Sequence, residues 1–324
     1  MSESQRVVFG QTMVELARAH PDFVLLDGDL ANSTRADILA QEEPGAFVEL
    51  GIAEQNLIGV AAGLATMGFR PWVSSFAVFL VNRDLDQLRM LVAQNRLPVR
   101  LAGAYSGLMT GFTGKTHQSV EDLAVMRVIP SMTVLCPADA AEAAAAIRWA
   151  HEAPGPVYVR LCRDAVADLP PVPEPYDPGR GRWLLRGSMG TMISTGVQST
   201  RTLEAARLLG EMGYDLGVLH LPAVKPLPEE EVLEAARLGP VWTVEEHSVI
   251  GGLGGAVAEI VSREHPQRVL RIGIEDTYGA SGDNESLLEH FALTPRRVAE
   301  RVRRSFPWDP GRIEVGREAR RHDP

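Results

Sequence analysis

The sequence predicts two α/β domains joined by a proline-rich linker, and three observations carry that expectation. Short apolar runs alternate with helix-periodic stretches along most of the chain. The segment Leu169–Pro178 contains five prolines, which keep it extended and unable to pair in a sheet. At 324 residues, the chain is long enough for two domains of ordinary size, each with its own core. This reading puts a first domain at residues 1–168, the linker at 169–180 and a smaller second domain at 181–324.

Taken in order, Arg6–Ala19 has helical periodicity, and Phe23–Asp27 is an apolar run ending in an acid, as a buried parallel strand would. Gly28–Arg35 follows as a turn-rich loop at that strand's C-terminal end, where open α/β sheets place ligand contacts. Phe47-Val-Glu-Leu50 reads as a short strand, Gly51 as a turn, and Glu54–Met67 as a helix whose Gly59 and Gly63 allow close packing against another surface. Further strands are expected at Arg70–Ser75, Val99–Ala104, Met132–Cys136 and Val157–Leu161, with helices at Phe79–Gln94, Val120–Val128 and Ala138–His151. That alternation predicts a mainly parallel sheet with helices on both faces. Past the linker, strands at Thr191–Ser194, Leu216–Leu221 and Val241–Val244 alternate with helices at Ser199–Met212, Glu229–Leu238 and Gly251–Arg263. The charged tail Val315–Pro324 is expected to fray.

Composition narrows the function classes. Hydrophobic residues make up 45% and charged residues 23%, the balance of an ordinary globular protein. A net charge of −10 and the lack of any basic stripe exclude a general nucleic-acid binder. The N-terminus lacks a basic-then-apolar signal and no apolar run reaches membrane-spanning length, so a cytoplasmic protein with no membrane partner is expected. Cys136 and Cys162 lie in strand-like stretches without metal-ligand spacing, and read as buried free thiols in a reducing compartment. Only Lys115 and Lys225 are lysines among 32 basic residues, which singles them out. Glu245-Glu-His247 reads as a satisfied strand-end cluster at a subunit contact rather than a metal site.

Four segments of the first domain gather chemistry at predicted strand ends: Asp27–Arg35, Glu54 with its glycine-rich helix, Ser75-Phe-Ala-Val-Phe79, and Gly111-Phe-Thr-Gly-Lys-Thr-His-Gln118. Alone, Glu54 could simply complement its helix dipole, and Phe76 and Phe79 could simply be core. Together they offer a carboxylate, two aromatic rings and a glycine loop bearing one histidine. A planar nitrogen heterocycle could stack on the rings while the carboxylate shares a proton with a ring nitrogen.

In this order the segments resemble the C-terminal half of transketolase, a thiamine diphosphate enzyme, and the chain looks like the second subunit of a transketolase split over two genes. The resemblance runs from about Val7 to Val298. It rests on Gly51-Ile-Ala-Glu-Gln-Asn56, Ser74-Ser-Phe-Ala-Val-Phe79, Thr116-His-Gln-Ser-Val-Glu-Asp-Leu-Ala124, Arg127-Val-Ile-Pro130, Pro137-Ala-Asp139, Lys225-Pro-Leu227, Glu245-Glu-His247 and Gly251-Gly-Leu-Gly-Gly255. It implies a pyrimidine-binding domain followed by a transketolase C-terminal domain.

By this resemblance Glu54 hydrogen-bonds the ring nitrogen of the cofactor's aminopyrimidine and thereby activates it. Phe76 and Phe79 pack on the pyrimidine, with Asn82 at the place of a third aromatic. His117 contacts the substrate and can exchange protons near neutral pH. Arg35 and Arg163 fall where the family places arginines for a substrate phosphate. Two departures point to an altered substrate: Thr113 stands where the family has an aspartate that reads a sugar hydroxyl, and Tyr105 where it has a phosphate-contacting histidine. Lys115, in the same loop, is expected to supply an anion contact. The Gly-Asp-Gly motif that holds the diphosphate through Mg²⁺ is absent, and Gly28-Asp-Leu30 does not replace it. The resemblance therefore implies no metal site in this chain, and an α₂β₂ enzyme in which an N-terminal subunit holds Mg²⁺ and the diphosphate and a sugar or sugar phosphate is the substrate. Competing readings are the β-subunit of a 2-oxo acid dehydrogenase decarboxylase, a deoxyxylulose-phosphate-synthase-like chemistry, and a noncatalytic paralogue.

Overall fold

The computed structural model describes residues 3–306, so the tail Val315–Pro324 lies outside the described residues. Twelve strands are formed among them: β1 (Phe23–Asp27), β2 (Phe47–Glu49), β3 (Arg70–Phe76), β4 (Arg100–Ala104), β5 (Thr133–Leu135), β6 (Val157–Arg160), β7 (Arg182–Leu185), β8 (Thr191–Ser194), β9 (Gly217–His220), β10 (Ala223–Lys225), β11 (Val241–Ser248) and β12 (Val269–Ile274). They build a seven-stranded sheet in the order β10-β5-β6-β4-β3-β1-β2 and a five-stranded sheet in the order β12-β11-β8-β9-β7. Every pairing is parallel except β10 with β5 and β7 with β9.

The central strands β1, β4 and β6 are buried along their whole length, because helices cover both faces of the sheet. One core, around Leu26, Val73 and Leu101, lies under the helices Glu54–Thr66 and Asp122–Val128. The other, around Phe9, Leu25 and Trp72, lies under Gln5–Ala19 and Ala140–Glu152. The helix Ala140–Glu152 starts with Asp139 accepting the Glu142 amide, an N-cap that satisfies one of its free donors.

The structure departs from the sequence reading in three places. The edge strand β10 lies beyond the proline-rich segment yet joins the first sheet, and Lys225 is engaged there: its Nζ donates to the carbonyls of Arg127, at 3.1 Å, and Ile129. The helix expected over Phe79–Gln94 is broken into Ala77–Asn82, Leu85–Gln87 and a π-helical turn Leu88–Ala93. Asn82 Nδ2 bonds back to the Val78 carbonyl, and the buried Asp84 takes a non-helical conformation; together they stop the helix before Arg83. The strand bearing Glu245, Glu246 and His247 is buried inside this chain and faces its own first sheet and loops, not a second subunit.

Parallel topology positions the site. In the neighbouring strands β2, β1, β3, β4 and β6 all C-terminal ends lie on one edge. The segments that follow them, carrying Glu54, Gly28–Arg35, Phe76–Arg83, Tyr105–His117 and Arg163, are therefore delivered side by side. No helix among the described residues is long and apolar enough to cross a membrane.

Candidate active site

Glu54 opens its helix after Gly51, whose φ of 73° a side-chain-bearing residue rarely adopts. The side chain turns inward, and the residue is only 3% exposed. Ser75 Oγ, at the end of β3, donates to Glu54 Oε1 at 3.3 Å, and Arg83 Nη1 donates to both carboxylate oxygens at 3.0 Å. The guanidinium carbon of Arg83 lies 3.9 Å from the centroid of the Phe79 ring. Next to it, Asp84 is fully buried and neither carboxylate oxygen has a hydrogen-bond partner.

Burial, with the Glu54 charge adding to it, pushes Asp84 up to about 8. The unfolded chain releases this proton near pH 4, whereas the folded chain keeps it until about pH 8. Stability therefore falls as pH rises across that window. Asp84→Asn is expected to remove the fall, raising stability by about 3 to 5 kcal/mol at pH 8 and by almost nothing at pH 4. Thermal melts of both proteins across that range check it; parallel curves would exclude the effect.

The aromatic wall is continuous. Phe76 stacks on Tyr105 with centroids 4.0 Å apart and on Phe79 at 5.8 Å, while His117 presents its ring edge-on to Phe76 at 5.9 Å and Phe79 at 5.4 Å. Asn82 turns elsewhere, donating to the Glu121 carboxylate at 2.9 Å as well as to Val78. Beyond the wall, Arg163 lies over the Tyr105 ring at 5.5 Å, and Arg6 Nη1 donates to the Tyr105 hydroxyl at 3.4 Å and to the Ser33 carbonyl at 3.1 Å. Arg35 is half-buried beside Asp37, at 3.4 Å, in a left-handed conformation. The helix bearing Arg6 approaches that loop so closely that a Cβ on Gly10 would sit 2.2 Å from the Arg35 carbonyl oxygen. Thr113 and Lys115 are exposed on the same loop as His117.

That loop is held from the second sheet. Glu246 Oε1 accepts from the amides of Leu108, at 2.7 Å, and Met109, at 3.3 Å, and Arg201 pairs with its other oxygen at 2.7 Å. Gly107 makes room for the carboxylate, since a Cβ there would meet Glu246 Oε1 at 2.3 Å. Ser281 Oγ donates to the Phe112 carbonyl and Gln118 Nε2 to the Ala280 carbonyl, each at 2.8 Å. The glycine loop is thus fixed by residues more than a hundred positions away in the sequence.

Arg6, Arg83 and Glu246 were not legible in these roles from the sequence. Arg83 follows directly on the Phe76–Asn82 segment, so its position was the available signal; for Arg6 there was none. Among the described residues, one group outside the site has metal-ligand composition, His20, His151 and Glu152. The Trp72 indole N–H donates to His151 Nδ1 at 3.3 Å, which puts the neutral ring's proton on Nε2 and leaves it no lone pair there for a metal. Burial, reinforced by the Arg100 charge, pushes His151 down to about 4, consistent with that neutral ring.

Comparison with known proteins agrees with this organisation. Residues 3–168 match the family model "Transketolase, pyrimidine binding domain", and residues 179–298 match "Transketolase, C-terminal domain". The chain is 37% identical to the 6-deoxy-6-sulfo-D-fructose transketolase subunit SqwH of Clostridium sp. (strain MSTE9), over 90% of this chain and 91% of that one. It is 36% identical to an apulose-4-phosphate transketolase subunit of Phocaeicola vulgatus, over 91% of this chain and 95% of that one. A solved structure described as "Split gene transketolase, inactive beta4 tetramer" superposes with a TM-score of 0.85 at 40% identity, covering 94% of this chain and 98% of that one.

Proposed function

The chain belongs to the transketolase family, and from that premise we propose that it is the C-terminal subunit of a split transketolase, moving a two-carbon ketol unit from a ketose donor to an aldose acceptor. The observation that carries this reading is the Glu54 carboxylate, buried at the foot of a phenyl wall and already bound to a flat cation with N–H donors that lies over one of those rings. An aminopyrimidine offers that same chemistry: a flat ring, N–H donors and a ring nitrogen that can share a proton. The residues present therefore fit the pyrimidine half of thiamine diphosphate.

Glu54 would hold the pyrimidine by a proton shared at its Oε1 or Oε2, with Ser75 fixing the carboxylate, while Phe76 and Phe79 would hold the ring's plane. When bound, thiamine diphosphate supplies a nucleophilic carbon and an electron sink for breaking and making the bond beside a carbonyl. His117, edge-on to the phenyl rings and bonded through Nδ1 to Thr116 Oγ1, is placed to exchange a proton with a substrate hydroxyl. The chain carries no Gly-Asp-Gly motif, so Mg²⁺ and the diphosphate belong to an N-terminal partner, and the working enzyme is an α₂β₂ assembly in the cytoplasm. The split-gene relative, described as an inactive tetramer of one chain type, supports this division of labour.

Arg6, Tyr105 and Arg163 form a basic, aromatic end to the site, with Arg35 and Lys115 on its flanking loops. Both subunit relatives are named for substrates with an anionic group, a sulfo or a phosphate group, which supports a substrate of that kind here. Thr113, in place of a carboxylate, removes an anionic acceptor for sugar hydroxyls and points to a preference unlike that of ordinary pentose and hexose phosphates.

The test is co-expression with the subunit that bears a Gly-Asp-Gly motif, followed by assay with thiamine diphosphate, Mg²⁺ and a panel of phosphorylated and sulfonated ketoses, with pyruvate as control. Ketol transfer is expected, and decarboxylation of pyruvate without ketol transfer would sink the reading in favour of the 2-oxo acid dehydrogenase class. Lys115→Ala in the same assay should raise KM for the anionic substrate about tenfold, the loss of one charge-assisted hydrogen bond, with kcat little changed. Unchanged KM for every accepted anionic sugar would remove Lys115 from the anion site.

A further inference from the structure

We infer that Arg83 is a displaceable stand-in for the cofactor: in the free subunit its guanidinium occupies the place the aminopyrimidine takes, and it leaves when that ring binds. The inference rests on the cofactor reading given above and deepens it. Three observations carry it. Arg83 Nη1 engages both oxygens of Glu54 at 3.0 Å, so the carboxylate that must address a ring nitrogen is already taken. The guanidinium carbon lies over the Phe79 ring, 3.9 Å from its centroid, against a ring assigned to the pyrimidine. The helix that would have carried Arg83 away along its axis is broken there, between Ala77–Asn82 and Leu85–Gln87, which is what lets the side chain reach back to Glu54.

The physical reason for such a residue lies in Glu54 itself. Its side chain is 2% exposed, and an ionised carboxylate buried with only a serine hydroxyl for company is strongly disfavoured. The neighbouring Asp84 offers no relief, because it is itself an unpartnered acid. Arg83 supplies the missing charge while its own side chain stays 44% exposed, so one end of it remains in water and it can withdraw without opening the core. The site is thereby kept in its binding shape until a ring with equivalent donors replaces the guanidinium. Arg83 is a positioning residue in this scheme and touches no reacting atom.

The test uses the full chain without its partner and thiamine as the probe, since thiamine carries the pyrimidine but no diphosphate. Binding is measured by saturation-transfer NMR for the natural protein, Arg83→Met and Arg83→Met/Glu54→Gln. The expected result is at least tenfold tighter binding by Arg83→Met, with the gain lost in the double variant. Equal or weaker binding by Arg83→Met would overturn the stand-in role while leaving the cofactor site intact. Failure of every protein, natural chain included, to bind thiamine would remove the cofactor reading and this inference with it. A second measurement needs no variant: the Arg83 Nη protons, slowed in exchange by Glu54, should lose protection when thiamine saturates the natural chain. Their retention in the thiamine-bound protein would equally overturn the inference.

Discussion

Glu54→Gln is expected to lower kcat of the assembled enzyme by about 10² to 10⁴-fold, the usual contribution of a positioned acid–base group, while the subunit folds and assembles normally. The amide keeps the shape of the carboxylate and can still accept from Ser75 at one oxygen, so the local packing is preserved. It cannot share a proton with a ring nitrogen as an anion does, and one of its two ends is now a donor. The cost to folding should be small, because Arg83, which keeps its charge but loses its counter-charge, already sits partly in water. Steady-state assays with the partner subunit, alongside sizing of the complex and a thermal melt, separate the two effects. A Gln variant that turns over at the natural rate would remove Glu54 from the chemistry and with it the centre of the proposal.

Glu54 was legible in the sequence because an acid at the head of a helix of glycine, alanine and aliphatic residues contradicts its surroundings. Phe76 and Phe79 were found at the end of β3 and in the helix that follows it, and His117 as the lone histidine of the glycine loop after β4. β1, β3, β4, β6 and β8 are buried on both faces, and their positions could be read to within a residue or two. The strands that escaped notice are β7, β10 and β12, all at sheet edges, where one side faces solvent or a loop and the apolar run is short or interrupted. The crossing of β10 into the first sheet is a tertiary choice that no local pattern encodes.

Arg6 and Arg83 were hidden for a different reason. In a chain with thirty arginines, another arginine carries no contrast, and only a fold brings one to a tyrosine hydroxyl and the other to a buried carboxylate. The helix break that aims Arg83 arises from the back-bonding of Asn82 and the burial of Asp84, both of which depend on what packs around them. The role of Glu246 was missed because its targets, the amides of Leu108 and Met109, lie 138 and 137 residues away. The cluster reads in sequence as a satisfied strand-end group at a subunit contact, and the structure makes it the clamp between the two sheets.

At that clamp, Arg160→Met is expected to cost about 3 to 5 kcal/mol of stability, the penalty for leaving one partner of a buried ion pair alone. Arg160 Nε donates to Asp122 Oδ2 at 2.7 Å and Nη2 to Oδ1 at 3.1 Å, a two-pronged pairing, and Nη2 also reaches the Glu246 carbonyl of the second sheet at 3.1 Å. Burial works to raise Asp122, yet the Arg160 charge and its hydrogen bonds outweigh it and hold the carboxyl below its usual range. In the natural protein the pair therefore adds stability above the ordinary carboxylate pKa, and that contribution is lost only in acid. Without Arg160, burial is opposed only by His247 and the Tyr158 hydroxyl, which donates to Oδ2 at 2.8 Å; the Asp122 pKa rises, and the sign reverses: the variant should become less unstable relative to the natural protein as pH falls from 7 to 5. Adding Asp122→Asn should recover part of the loss at pH 7, because the stranded charge is gone, whereas the contact to Glu246 stays broken. Urea denaturation of the three proteins at both pH values reads these differences. A cost under about 1 kcal/mol with no dependence on pH would mean that the pair is hydrated and that the junction between the sheets is held by its apolar contacts instead.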